Sequence, residues 1–235
     1  MLLDLDRRFD VMFLSPLARD VRRRHLTYLT PTKLRILETT LRHLRTEEVK
    51  GDYLEFGVAL GGSAILIASH VNEPYAFHGY DVFGMIPPPG PKDDARSHER
   101  YDEIRSGRSQ GLGGETYYGY LDDLYERVCR TMDEYGYPVD GRRVFLHPGL
   151  FEETIDPLEL TPIAFAHIDC DWYEPVLHCL LSIRHRLMPG ARIVLDDYND
   201  YGGCRSAVDA FLERYGARKT MRLIRRSPSA ILERF

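Results

Sequence analysis

The sequence has little of what marks a disulfide-rich or zinc-binding chain. It holds only four cysteines among 235 residues, at positions 129, 170, 179 and 204. No two of them have the Cys-x-x-Cys spacing of structural zinc sites or thioredoxin-like redox motifs. We therefore expect reduced thiols that bind no metal.

Long apolar runs and an excess of positive charge are also missing. No run reaches the roughly 18 to 20 residues that span a bilayer, and the start, MLLDLDRRFD, is too acidic for a secretory signal. The chain has 31 Lys and Arg against 36 Asp and Glu, a net charge of −5. Such a balance is poorly suited to neutralising many phosphates. We expect a cytoplasmic protein that binds neither a membrane nor nucleic acid.

What is present is a regular alternation of strand and helix patterns. Thr30 before Pro31 predicts a helix start, and leucines then recur at helical spacing up to position 44. Helices are also predicted near 64–68, 121–132, 175–187 and 204–215, and strands at 52–57, 75–81, 143–147, 163–169, 191–196, 219–224 and 230–235. This order predicts a mostly parallel, doubly wound α/β sheet with helices on both faces and a C-terminal hairpin. The length favours one domain at 51–235 after an N-terminal helical segment at 1–50.

Regularity lapses between residues 84 and 120. This stretch contains three consecutive prolines at 87–89, mixed charges at 92–105 and five later glycines. A long irregular stretch inside a compact domain is usually functional or mobile. We predict an insertion or lid over the site, with a helix within 93–105. Its tyrosines either line the entrance of the site or tether the lid; they are Tyr117, Tyr118 and Tyr120.

The first predicted strand ends in a glycine-rich turn, Glu55-Phe-Gly-Val-Ala-Leu-Gly-Gly-Ser63. Glycine lets the backbone approach a ligand closely, and the next helix offers free N–H groups. The turn lacks the second close glycine of a dinucleotide fingerprint, so it favours a smaller, carboxylate-bearing ligand. Asp81, twenty residues after Gly61, ends the second strand and can accept hydrogen bonds from a ribose. Together they predict a nucleoside-containing ligand; the alternative is a plain tight turn and a surface aspartate.

Carboxylates follow two later strands, with Asp169 after one and Asp196 and Asp197 after the next. If these strands are neighbours, the three side chains meet at one edge of the sheet. Like charges in proximity repel and raise each other's pKa, whereas a hard divalent ion such as Mg²⁺ prefers oxygen ligands. We predict a metal site; the alternative is that Asp169, Asp171 and the acids at 196–200 cap the helices that follow.

Several segments together resemble the macrocin O-methyltransferase family: residues 55–63, 79–84, 167–174, 195–198 and 204–209. The resemblance covers most of the chain from about residue 26. It implies a Rossmann-like class I methyltransferase fold. Members of the family use S-adenosylmethionine and Mg²⁺ to methylate sugar hydroxyls on natural products such as macrolides, in antibiotic biosynthesis.

The resemblance also implies roles for individual residues. The cofactor S-adenosylmethionine is expected to contact Glu55, Gly57, Val58, Gly61, Ser63, Asp81 and Gly149, with Asp81 taking the ribose. The Mg²⁺ ligands are expected to be Asp169, Asp196 and Asp197. Asp169 is also the candidate catalytic base for a hydroxyl of a glycosylated small molecule. The family and the leucine-rich N-terminal helix favour a homo-oligomer.

Two other functions remain open from the residues. Asp169-Cys170-Asp171 is a D-x-D sequence, as in metal-dependent glycosyltransferases, although the glycine-rich turn offers few extra donors for a diphosphate. A non-catalytic small-molecule-binding protein on the same fold is the second alternative, since fold does not fix function. His167, two residues before Asp169, is expected to be a satisfied core histidine rather than a base.

Overall fold

The computed structural model describes residues 10–156 and 161–235, and within them one seven-stranded sheet has the order β3-β2-β1-β4-β5-β7-β6. Its strands are β1 Asp52–Phe56, β2 Phe77–Asp81, β3 Val144–Pro148, β4 Ile163–Ile168, β5 Leu187–Leu195, β6 Met221–Arg225 and β7 Ala230–Arg234. The first five strands are parallel, and β7 runs antiparallel to both β5 and β6. The predicted sheet and its C-terminal hairpin are confirmed.

The helices alternate with the strands as predicted, with one additional short helix after β3. They are α1 Pro16–Arg23, α2 Pro31–Thr46, α3 Gly62–Ala68, α4 Ala95–Arg105, α5 Leu124–Glu134, α6 Phe151–Thr154, α7 Tyr173–Ile183 and α8 Gly202–Glu213. The Thr30 side chain caps α2 by accepting a hydrogen bond from the Lys33 N–H. Helix α4 is the helix predicted inside the 84–120 stretch. None of the described helices has the length and apolar character needed to cross a bilayer.

Two hydrophobic clusters cover the two faces of the sheet. Successive residues of β1 divide between them, since Tyr53 packs in one cluster and Leu54 in the other, as expected when side chains alternate across a strand. The first cluster joins the N-terminal helices to α3 and α5, and the second joins α7 and α8 to the sheet. Helices α1 and α2 therefore share a core with the sheet, while the division at residue 50 stays a prediction.

Strand β5 starts earlier than predicted. Pro189 and Gly190 were expected to form a turn before a strand at 191–196, but they lie inside β5, which begins at Leu187. The pairing of β4 with β5 shifts register between Ile163 and Phe165, and Gly190 has φ +82°. An irregular pairing accommodates a proline without an N–H, and glycine tolerates the left-handed backbone.

The strand order brings the predicted site residues to one edge. Strand β1 lies between β2 and β4, so the order reverses between β1 and β4. In open α/β sheets ligands bind beyond the carboxyl ends of the strands at such a point. Gly57 follows β1, Asp169 follows β4, and Asp196 follows β5. Consequently the glycine-rich turn and the carboxylates face the same space.

We expect Leu41→Ala to lower the free energy of unfolding by about 2 to 5 kcal/mol, because it leaves a cavity in a packed core. Leu41 is fully buried in α2. Thr39 is exposed on the same helix, so Thr39→Ala should change stability by less than about 0.5 kcal/mol. Urea denaturation followed by circular dichroism measures both. Similar losses for the two variants would contradict the packing of α2 against the sheet.

Candidate active site

A cavity of about 650 Å³ opens at the carboxyl edge of β1, β4 and β5. Its volume falls within the roughly 300 to 1,000 Å³ typical of small-molecule sites. The inner wall comes from the strand ends: Gly57, Ala59, Asp81, Asp169, Cys170, Asp171, Asp196 and Asp197. The outer wall includes Tyr28, Lys33, Ile86, Pro87, Arg96, Arg100, Tyr117, Tyr118, Trp172 and Tyr201. The cavity therefore joins the glycine-rich turn, the acidic cluster and the predicted lid.

The glycine-rich turn lies directly against the end of β4. Gly57 has φ +97°, and a Cβ at this position would come within 1.9 Å of the Asp169 carbonyl oxygen. The Gly57 N–H donates to the Tyr80 carbonyl at 2.9 Å, and the Asp169 N–H donates to the Phe56 carbonyl at 2.8 Å. Both the backbone conformation and the lack of space require glycine here. This contact fixes the turn beside the first carboxylate.

Asp81 fastens the same turn to β2. Its Oδ2 accepts hydrogen bonds from the N–H groups of Val58 at 2.7 Å and Ala59 at 2.9 Å, and its Oδ1 accepts one from Phe83 at 2.7 Å. Burial raises the pKa of Asp81, although these N–H groups act to lower it. Each carboxylate oxygen has two lone pairs, and Asp81 lines the cavity. Its predicted role toward a ribose thus remains open beside its structural one.

A buried acid–histidine pair lies behind the turn. His167 Nδ1 is 2.9 Å from Glu55 Oε1, and both side chains are almost fully inaccessible. Burial raises the pKa of Glu55. Burial acts to lower the pKa of His167, but the hydrogen bond and the attraction from Glu55 outweigh it, so the pKa of His167 rises as well. Among the described residues, Glu55 Oε2 and His167 Nε2 have no hydrogen-bond partner. His167 is a core histidine as expected, but only one of its ring nitrogens is satisfied.

The predicted cofactor residues divide into two groups. Gly57 and Asp81 are on the cavity wall. The others are not among the residues that line the cavity in the described structure: Glu55, Val58, Gly61, Ser63 and Gly149. Their contribution to cofactor binding stays a prediction.

The structure brings the three predicted metal ligands together. Asp169, Asp196 and Asp197 each offer an oxygen, and these oxygens lie within 4.8 Å of one another. Burial and then repulsion from Asp196 raise the pKa of Asp169 to about 8, and the same causes raise that of Asp171 to about 6. A divalent cation would relieve this repulsion, and an all-oxygen donor set suits Mg²⁺. The residues present therefore fit the predicted ion.

The alternative that these acids are helix caps is wrong. Neither α7 nor α8 has a side-chain cap from its own N-cap residue, Trp172 or Tyr201. Two aspartates of the lid take this role instead. The Tyr173 N–H donates to Asp93 Oδ1 at 2.8 Å, and the Gly202 N–H donates to Asp94 Oδ2 at 3.0 Å. The carboxylates after β4 and β5 therefore do not cap these two helices.

Sequence reasoning missed Lys33. Its Nζ lies 2.6 Å from Asp196 Oδ2 and 2.5 Å from Asp200 Oδ2. Burial acts to lower the pKa of Lys33, but the attraction of Asp196 prevails and raises it. Lys33 lies in the first turn of α2, more than 160 residues before its partners, so no local pattern could link them. The one available signal was a lysine next to the buried Leu34 in a leucine-rich amphipathic helix.

The predicted lid, residues 84–120, forms much of the outer wall of the cavity. Arg96 in α4 donates to the Asp200 carbonyl at 2.8 Å, and the Trp172 indole N–H donates to the Pro87 carbonyl at 3.0 Å. Tyr117 and Tyr118 line the cavity, whereas the Tyr120 hydroxyl donates to the Ile104 carbonyl. Tyr117 and Tyr118 thus line the site and Tyr120 tethers the lid, so both predicted roles of the tyrosines occur.

Comparison with known proteins agrees with this geometry. Residues 15–227 match the family described as macrocin-O-methyltransferase (TylF). The chain belongs to this family. It is 31% identical over 172 residues to 8-demethyl-8-(2,3-dimethoxy-alpha-L-rhamnosyl)-tetracenomycin-C 4'-O-methyltransferase of Streptomyces olivaceus, covering 72% of this chain and 60% of that one. It is 25% identical over 201 residues to mycinamicin III 3''-O-methyltransferase of Micromonospora griseorubida, covering 81% and 71%.

Solved structures share the fold of this macrocin O-methyltransferase family member. The O-methyltransferase NovP superposes with a TM-score of 0.71 at 22% identity, covering 89% of this chain and 82% of NovP. The calicheamicin methyltransferase CalS11 gives a TM-score of 0.63 at 20% identity, covering 97% and 90%. The Rossmann-like class I fold is thus confirmed. The match to the first two curated relatives spans only about 60% of their length.

We expect Gly57→Ala to lower the free energy of unfolding by about 3 to 5 kcal/mol, because left-handed strain adds to a backbone clash that no rotamer change relieves. Gly107 also has a positive φ, +76°, but nothing lies within 4 Å of an added Cβ. Gly107→Ala should therefore cost only about 1 to 2 kcal/mol. Chemical denaturation compares the two variants. Equal losses would contradict the close contact between Gly57 and Asp169.

In protein stripped of divalent ions, we expect the thermal midpoint to fall as pH rises from about 5 to 8. The pKa of Asp169 is about 8 when folded and about 3.9 when unfolded, so the folded state holds this proton more tightly. That stabilisation is complete below the unfolded pKa and is lost as pH rises through the folded pKa.

Asp169→Asn is the matched control, because it keeps the shape and cannot ionise. Its midpoint should fall less steeply over the same pH range, as scanning calorimetry can measure. An unchanged slope would contradict the raised pKa of Asp169.

Proposed function

We propose that this protein is an S-adenosylmethionine- and Mg²⁺-dependent O-methyltransferase that acts on a sugar hydroxyl of a natural product. One observation carries the proposal: the glycine-rich turn and the three clustered carboxylates face the same cavity and touch through Gly57 and Asp169. Membership of the macrocin O-methyltransferase family and the names of its relatives support the reaction type.

The two halves of the cavity would hold different groups. Gly57 and Asp81 would hold the cofactor at the end of β1, and Asp169, Asp196 and Asp197 would hold the cation at the ends of β4 and β5. When bound, S-adenosylmethionine supplies the methyl group, and Mg²⁺ makes a coordinated hydroxyl more acidic. Holding both partners on adjacent strand ends aligns them for in-line transfer, and alignment alone can contribute several kcal/mol.

Asp169 is our candidate for the proton acceptor. It is half-buried on the cavity wall, and it follows the strand that touches the cofactor turn. Its carboxylate oxygen would take the proton of the acceptor hydroxyl as the new C–O bond forms, while the methyl–sulfur bond breaks and S-adenosylhomocysteine leaves. A cation-bound carboxylate is a weak base, so the acidified hydroxyl carries most of the activation and Asp169 receives the proton late.

The outer wall suits a glycoside. Trp172, Tyr117 and Tyr201 contribute aromatic surface, which packs well against the apolar faces of sugars. The named relatives methylate a rhamnosyl-bearing tetracenomycin and mycinamicin III, which supports a glycosylated small molecule as the acceptor. A homo-oligomeric state and a cytoplasmic location stay predictions.

The comparisons lend no support to the two alternative functions. All three curated relatives are O-methyltransferases, and none is a glycosyltransferase or a binding protein. Within the D-x-D sequence, the Asp171 N–H donates to Asp197 Oδ2 at 3.2 Å. This bond ties Asp171 to the carboxylate cluster rather than to a separate diphosphate site.

We expect Asp169→Asn to reduce methyl transfer by about 10²- to 10⁴-fold while changing S-adenosylhomocysteine affinity by less than about threefold. Asp81 and the glycine-rich turn, which would hold the cofactor, are unaltered in this variant. Turnover is measured on deoxysugar glycosides including mycinamicin III, and cofactor affinity by calorimetry. The control is Asp209→Asn, an exposed aspartate of α8, which should change neither quantity.

Two results would contradict the proposal in different ways. An equal loss of cofactor affinity in Asp169→Asn would contradict the assignment of this residue to proton transfer. Absence of turnover by the unaltered protein on every glycoside, with S-adenosylmethionine bound, would contradict the sugar acceptor.

A further inference from the structure

Lys33 places a permanent cation at the edge of the acidic cluster. Its side chain is only 11% exposed, and its Nζ contacts Asp196 Oδ2 at 2.6 Å and Asp200 Oδ2 at 2.5 Å. In the ranges 10–156 and 161–235, no other lysine or arginine forms an ion pair with Asp169, Asp196 or Asp197. The Lys33 ammonium thus contacts Asp196, which is one of the proposed Mg²⁺ ligands.

Two side chains hold the Asp196 carboxylate from opposite oxygens. Lys33 bonds to Oδ2, and the hydroxyl of the fully buried Ser229 donates to Oδ1 at 3.1 Å. Ser229 precedes β7, and Lys33 comes from α2. Two distant parts of the chain therefore hold Asp196, and each contacts a different oxygen of its carboxylate.

The surrounding charge explains why a basic side chain is needed here. Five aspartates line this part of the cavity: Asp169, Asp171, Asp196, Asp197 and Asp200. Arg100 acts on Asp171 from the lid but is paired with Glu103 at 2.7 Å. Arg96 is bonded to the Asp200 backbone rather than to a carboxylate. Without Lys33, the carboxylates next to the β5 end would have no direct positive partner among the described residues.

We propose that Lys33 is a positioning residue for the divalent cation: it aims Asp196, neutralises the cluster when no ion is bound, and weakens ion binding when one is. The inference rests on the proposed function, which supplies the cation. Because the Asp196 carboxylate also bonds to Lys33, it donates less negative charge to a bound cation. The ion then keeps more of its positive charge for the acceptor hydroxyl, and the affinity lost is offset by stronger activation.

The test is Mn²⁺ binding to metal-free protein, measured by electron paramagnetic resonance and calorimetry without cofactor or acceptor. Lys33→Met removes the charge and keeps most of the volume, and Ser229 still holds Asp196. We expect Mn²⁺ to bind at least about tenfold more tightly than to the unaltered protein, because a nearby repulsive charge is gone. We also expect a lower thermal midpoint without metal and a larger rise on adding Mn²⁺.

Two controls separate charge from shape. Lys33→Arg keeps the charge and should leave Mn²⁺ affinity within about threefold. Ser229→Ala removes the other contact of Asp196 without changing charge, and it should not tighten binding. Lys33→Gln serves as a second neutral variant, and both neutral variants should fold in the presence of Mn²⁺.

The Mn²⁺ measurements separate the role of Lys33 from the proposed cation site. Unchanged or weaker Mn²⁺ binding in the neutral variants would overturn the role of Lys33 alone. Failure of both to fold even with Mn²⁺ present would also overturn it, since the ion should replace the ammonium. Absence of Mn²⁺ binding by the unaltered protein would instead overturn the proposed cation site, and this inference with it.

Discussion

Repulsion among the carboxylates at the ends of β4 and β5 is the constraint to which the rest of the site responds. Three aspartate oxygens lie within 4.8 Å of one another on a partly buried cavity wall, and like charges this close repel unless a proton or a positive partner neutralises them. Lys33 supplies part of that charge from α2. The negative charge that Lys33 leaves unbalanced favours a divalent ion at this edge of the sheet.

Contacts farther from the cluster connect the acidic edge to the lid. The acids after β4 and β5 do not cap the helices that follow, and the first N–H groups of α7 and α8 donate instead to Asp93 and Asp94 of the lid. The lid is therefore bonded to the two segments that follow the acidic strands. Arg96 adds a further link through the Asp200 backbone. The lid, the N-terminal helix and the acidic edge thus form one connected structure around the cavity.

Much of this could be predicted from the residues. Glycine at position 57 and acids after consecutive strands are local patterns, and the rule that ligands bind beyond the carboxyl ends of parallel strands joins them. The spacing of Thr30, Pro31 and the following leucines likewise predicted α2. The irregular start of β5 was missed because Pro189 and Gly190 normally end an element, and only pairing with β4 shows that they are accommodated within a strand.

Short-range periodicity and residues adjacent in the chain predicted the succession of strands and helices, the family and the positions of the three aspartates directly after their strands. The pairing of β4 with β5 brings those aspartates together, and tertiary contacts supply the groups that neutralise and orient them and that cap the neighbouring helices. Lys33, Asp93, Asp94 and Ser229 meet their partners across 33 to 163 residues. Contacts over such separations arise from packing of the helices and loops on the sheet, which no local pattern encodes.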